Sequence, residues 1–147
     1  MLRGIQKRMN LDIFTDGSAL KNLKAGWCYY LPNENIIRSG FMVGTSDQAE
    51  LQALYEAFLF LSYKEIVSET INIYSDNEYA LNAVSERKKR SKRKIINAIV
   101  DLIELLKNDG STINFIHIDA YSKSVDYYHS ANNRCDREAK ERAIQGY

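Results

Sequence analysis

The spacing of apolar residues along this chain first changes, abruptly, after Val43. Up to there the chain carries three strand-like stretches in succession, Leu11 to Phe14, Gly26 to Leu31 and Ile36 to Val43. Gly17 and Ser18 begin a loop through Lys21-Asn22-Leu23-Lys24 that separates the first two, and Pro32-Asn33-Glu34-Asn35 separates the next pair. Strand-forming runs bounded by turn residues on such short connections read as an antiparallel meander. Gly44-Thr45-Ser46-Asp47 then supplies a stop and a helix cap, after which Leu54, Ala57, Phe58 and Leu61 fall on one helical stripe. A chain that changes period in this way lays a helix against a sheet.

Strands and helices alternate from there. Ile71 to Ser75 reads as a strand ending in Asp76, and Asp76-Asn77-Glu78 reads as the cap of a short helix through Tyr79, Ala80, Ala83 and Val84. The segment from Arg87 to Lys94 has seven basic side chains in eight positions. Ile95 to Leu106 is strongly amphipathic and stops at Lys107-Asn108-Asp109-Gly110, and Ile113 to Asp119 is a last strand. Residues Ala120 to Ser130 are polar and irregular, and Ser130 can cap a final helix in which Asn132, Asp136, Ala139 and Ala143 share one face. The other charges of that helix, Arg134, Arg137, Glu138, Lys140, Glu141 and Arg142, read as a solvated outer face. The order predicts an α/β fold. Its five-stranded mixed sheet joins a three-stranded antiparallel meander to two parallel strands, flanked by helices. With 147 residues it is expected to be one domain, 1–147, with 1–9 as a loose basic lead-in.

A net charge of +1 means that attraction for a polyanion must come from where charges sit, and the run from Arg87 is the obvious place. Two cysteines cannot form a disulfide framework in a domain of this size, which suits a reducing compartment. With no apolar run of spanning length and no secretory pattern at the start, the expectation is an intracellular protein, cytoplasmic or nuclear, with no membrane partner. A monomer is the default.

Four acids stand at strand ends or helix starts, where ligands gather in sheets of this kind: Asp16, Glu50, Asp76 and Asp136. Glu50 lies on the apolar stripe of its helix, and an ionised carboxylate there needs a cation or a raised pKa. If the four converge, two divalent cations would balance them. Oxygen-only ligation without a zinc-type cysteine or histidine set favours magnesium or manganese. A pair of such ions suits in-line displacement at phosphorus, which predicts phosphodiester hydrolysis.

Thr15-Asp16-Gly17-Ser18, Thr45-Ser46-Asp47-Gln48-Ala49-Glu50-Leu51, Tyr74-Ser75-Asp76 and Asn132-Asn133-Arg134-Cys135-Asp136 resemble, in order and placement, the four motifs of type 1 ribonuclease H. The resemblance implies an RNase H-like fold and an endoribonuclease that cuts the RNA strand of RNA/DNA hybrids to 5′-phosphate products. It also implies two Mg2+ ions, replaceable by Mn2+, held by Asp16, Glu50, Asp76 and Asp136, with Asp16 bridging. By the same comparison Gly17, Ser18, Thr45, Ser46, Asp47, Gln48, Asn77 and Asn132 would contact nucleic acid, in part through RNA 2′-hydroxyls. Ser46 and Asp47 replace asparagines common in that segment. Arg87, Lys88, Lys89, Arg90, Lys92 and Arg93 resemble a shortened form of the basic protrusion that holds the hybrid backbone in some members.

One departure bears on mechanism. Where many members carry a loop histidine, this chain has Ala120-Tyr121-Ser122. Tyrosine, with a reference pKa of about 10, is a poor proton carrier near neutrality, and His129 is the candidate to replace it. Two other readings stand beside this one: a hybrid-binding module with weak or no catalysis, which this departure and the altered contact segment suggest, and a DNA-processing nuclease, since folds related to this family serve DNA strand transfer and junction cutting.

Overall fold

A computed structural model describes residues 6–63, 66–85, 90–119 and 126–146. The strands are β1 (Gln6–Ala19), β2 (Lys24–Leu31), β3 (Ile36–Val43), β4 (Ile66–Ser75) and β5 (Thr112–His117), and the helices α1 (Ser46–Tyr63), α2 (Glu78–Ser85), α3 (Lys94–Asn108) and α4 (Tyr127–Gln145). The sheet runs β3-β2-β1-β4-β5. Its β1/β2 and β2/β3 pairs are antiparallel and its β1/β4 and β4/β5 pairs parallel, the mixed sheet expected from the sequence.

Alternation along β1 divides the core. Leu11 and Ile13 pack with α1, α2 and α3 residues such as Leu54, Phe58, Val84 and Ile99, while Phe14 packs with Cys28, Tyr74, Ala131, Cys135 and Ala139. The first set lies on one face of the sheet and α4 covers the other. Helix α4 approaches β2 closely because it carries small residues there, Ala131, Cys135, Ala139 and Ala143, all buried. A Cβ on Gly26 would sit 2.1 Å from the Ala139 carbonyl oxygen, so the glycine is what admits the helix. Among the described residues no helix is long and apolar enough to cross a membrane.

Four expectations need correction. Residues 6–9, read as part of a loose lead-in, belong to β1, whose pairing with β4 starts at Gln6 opposite Ile66. Each strand supplies the ladder partner the other's backbone requires, which also starts β4 before Ile71. The chain does not leave the sheet at Gly17 either, since pairing with β2 continues to Ala19 opposite Ala25. Helix α4 starts at Tyr127 under Asp126, whose side chain accepts from the His129 amide, so Ser130 is not its cap. Finally, the cap of α2 is not Asp76 but Asn77, whose Oδ1 accepts from the Ala80 amide at 2.9 Å.

Candidate active site

β1 stays paired with β2 to its end, but its parallel pairing with β4 stops at Phe14 opposite Tyr74. Past that point the sheet opens, and Asp16 stands at the opening, 2% exposed. Its Oδ1 accepts from the Gly17 amide at 2.8 Å. Helix α1 enters from above Gly17. Its start is fixed by a reciprocal cap, in which the Gln48 amide donates to Thr45 Oγ1 at 3.2 Å and the Thr45 amide donates to Gln48 Oε1 at 2.8 Å. That places Glu50 in the first turns of α1, 5% exposed. Asp76 follows the last residue of β4, free of capping duty because Asn77 performs it. Asp136 comes from α4, one turn after Asn132.

Asp16, Glu50 and Asp76 each offer a carboxylate oxygen within 4.8 Å of the others. All three line a cavity of about 510 Å³ together with Asp136, Gly17, Ser18, Ser46, Asn77 and Lys140. Asp16 Oδ2, Glu50 Oε2 and Asn132 Oδ1 are buried without a hydrogen-bond partner. Oxygens orphaned in this way are costly unless a cation or proton joins them.

The electrostatics agree. Burial pushes the pKa of Asp16 far up, and the charges of Glu50, Asp76 and Asp136 add to it. Burial raises Glu50 as well, against a hydrogen bond with Asp16 that acts to lower it. Such a pair holds a shared proton when no cation is present. Asp76 is raised by burial and by Asp136, while a hydrogen bond from Asn132 and the neighbouring His117 act the other way. The donor set is all oxygen and dense, and burial favours protons on it that a hard divalent ion can replace.

The remaining candidates divide. Gly17, Ser18, Ser46 and Asn77 lie on the cavity wall. Thr45 and Gln48 hold one another in the cap, and Asp47 Oδ1 accepts from Asn77 Nδ2 at 3.5 Å. Asn132 is 2% exposed and set against Asp76. Lys92 is exposed, Arg90 pairs with Asp101 at 2.8 Å, and Arg93 lines a second cavity of about 340 Å³ with Met42, Val43, Gln48, Gln52, Lys94 and Ile95. His129 sits not in a loop but in the first turn of α4, its Nδ1 2.9 Å from both Asp126 carboxylate oxygens. Arg87, Lys88, Lys89 and Tyr121 fall outside the described residues.

Sequence reasoning missed Lys140. It was grouped with a solvated face, yet it lines the acidic cavity with its Nζ 2.9 Å from Asp136 Oδ2. The i, i+4 spacing from Asp136 was the available signal. Glu138 and Arg142 also leave that face. Ser39 Oγ donates to Glu138 Oε1 at 3.0 Å and Arg142 Nε donates to Ser39 Oγ at 2.8 Å, which ties α4 to β3.

With this geometry in place, the chain can be set beside known proteins. The family described as RNase H matches residues 8–144. The chain is 31% identical over 140 residues to a protein named ribonuclease H from Helicobacter acinonychis, an alignment covering 88% of this chain and 90% of that one. It is 30% identical over 149 residues to the ribonuclease H of Mannheimia succiniciproducens, covering 92% and 89%. Among solved structures, LC11-RNase H1 in complex with an RNA/DNA hybrid matches with a TM-score of 0.69 at 19% identity, over 92% of this chain and 97% of that one, a likeness of fold.

Proposed function

The chain belongs to the ribonuclease H family, and from that premise we propose that it hydrolyses the RNA strand of RNA/DNA hybrids, leaving 5′-phosphate ends, with two divalent ions. Mg2+ is the proposed ion and Mn2+ its substitute, held by Asp16, Glu50, Asp76 and Asp136. The observation that carries this reading is the meeting of three carboxylates from β1, α1 and the end of β4 within 4.8 Å, two of them with buried, partnerless oxygens. A binding module without catalysis would have no use for so costly a cluster.

When bound, a pair of divalent ions supplies charge stabilisation at the attacking and leaving oxygens of the phosphodiester. The protein's part is to position. Asp16, the most buried of the four, is the acid proposed to be shared between the ions. Asn132 orients Asp76 through its hydrogen bond, and the capped start of α1 holds Glu50. Gly17, Ser18, Ser46 and Asn77 on the wall, with Thr45, Asp47 and Gln48 beside them, are proposed to follow the minor groove of the hybrid, where the 2′-hydroxyls distinguish RNA. The basic side chains from Arg87 to Arg93 would hold phosphates without reading sequence. His129, braced by Asp126, is the proposed proton carrier in place of the loop histidine, with Tyr121 the weaker candidate. We read the 147 residues as one catalytic domain acting as a monomer inside the cell.

The test is cleavage of end-labelled RNA/DNA hybrid, duplex DNA and duplex RNA, with Mg2+ and with excess chelator. Cutting confined to the RNA strand of the hybrid, and abolished by chelator, is expected. Equal cutting of duplex DNA would move the protein to the DNA-processing reading.

A further inference from the structure

Lys140 reaches into the acidic cavity from α4, one turn beyond Asp136, and is the one cationic side chain among the described residues that line it. We propose that Lys140 is a built-in counter-ion that occupies Asp136 in the metal-free protein and gives it up to a divalent ion when a substrate phosphate draws the ammonium away. The proposal rests on the metal-dependent reading above and adds an order to it.

The four acids are not equivalent. Asp16, Glu50 and Asp76 already converge, with partnerless oxygens on Asp16 and Glu50, so an ion can be met there in exchange for protons alone. Asp136 differs, since its Oδ2 is engaged by Lys140 at 2.9 Å. An ion that took Asp136 as a ligand would compete with that ammonium. The competition is mild. The Asp136 and Lys140 side chains are 29% and 49% exposed, so solvent screens the pair, and holding it together is worth about a two- to fivefold factor in equilibrium. Lysine is also suited to the exchange, being a mobile point charge on a four-carbon stem that binds phosphate readily. A phosphate entering the cavity would offer Lys140 a second anion and leave Asp136 open. Occupancy of the second ion site would then depend on substrate.

The experiment counts Mn2+ bound to the intact protein without nucleic acid, by the electron paramagnetic resonance signal of free Mn2+. Wild type should show one stronger and one weaker site. Lys140→Met should tighten the weaker site about two- to fivefold and leave the stronger unchanged, and Lys140→Arg, which keeps the charge, should follow wild type. Asp136→Asn should remove the weaker site whatever stands at 140. In chelator, where no cutting occurs, Lys140→Met should bind hybrid more weakly than wild type. Unchanged Mn2+ affinities in Lys140→Met, or hybrid binding in chelator equal to wild type, would overturn the counter-ion role while leaving the metal site standing. A wild-type protein that binds no Mn2+ would overturn the metal site itself.

Discussion

Gly17 leaves no room for a side chain beneath Glu50: a Cβ at position 17 would lie 2.3 Å from the Glu50 amide nitrogen and 2.8 Å from the Ala49 Cβ. The neighbour is the backbone of α1, which cannot step aside as the tip of a flexible side chain would. Gly17→Ala is therefore expected to lift the start of α1 and move Glu50 away from Asp16. Displacements near 1 Å can cost about 10²-fold in rate, and overpacking of this kind costs about 1–3 kcal/mol of stability. Steady-state cleavage and thermal melts of the same preparation check both, and the rate should suffer far more than the melt.

The acid cluster sets a pH dependence of its own. Asp16, Glu50 and Asp76 have folded-state pKa values raised above their ordinary 3.8, 4.5 and 3.8. The folded protein thus holds protons that the unfolded chain releases. Their contribution to stability is complete below about pH 4 and is lost as pH rises through the raised values. In chelator the melting temperature should fall with rising pH through that window, beyond any general effect of net charge, and saturating Mg2+ should flatten the fall. Folding at pH 8 in chelator must hold on Asp16 a proton that the unfolded chain releases, and Asp16→Asn, which removes that requirement, should melt higher than wild type there. An advantage of about 1–3 kcal/mol amounts to about 2–4 °C per kcal/mol for a chain near this size.

His129 and Asp126 separate a catalytic from a structural role. Asp126 accepts from the His129 amide as the helix cap and faces the imidazole Nδ1. Asp126→Ala should cost about 1 kcal/mol as a lost N-cap. His129→Ala leaves that cap in place, and if the imidazole carries a proton the turnover rate should fall by about 10²–10⁴ while the melt barely moves. Loss of stability without loss of rate in His129→Ala would assign the histidine to structure alone.

Arg93 lines the second cavity beside Met42 and Gln48, close to the segment proposed to contact RNA. If it meets a hybrid phosphate, Arg93→Ala should weaken binding regardless of sequence and reduce the slope of log affinity against log salt by about one. Affinities measured at several salt concentrations in chelator give that slope.

Much of this was written locally. Asp16 and Asp76 each follow an apolar run, and Glu50 interrupts an apolar stripe, so their anomaly shows within a few residues of each. What failed to show depends on partners distant in the chain. Gln6 to Asn10 have no strand pattern of their own and join β1 because β4 pairs with them. Asp76 and Asn77 are both good caps, and only the geometry leaving β4 decides that Asn77 takes the role. Glu138 and Arg142 look like any charged helix face until Ser39 on β3 gives them a partner 3.0 and 2.8 Å away. The start of α4 was misplaced because Ser130 and Asp126 carry equal local signals.

The account depends most on Asp16 as the centre of a metal-dependent site, and hybrid cleavage by wild type and Asp16→Asn in Mg2+ tests it directly. Wild type should cut the RNA strand and Asp16→Asn should cut nothing while melting at or above the wild-type temperature in chelator. Cleavage by a folded Asp16→Asn protein at a rate close to wild type would contradict it.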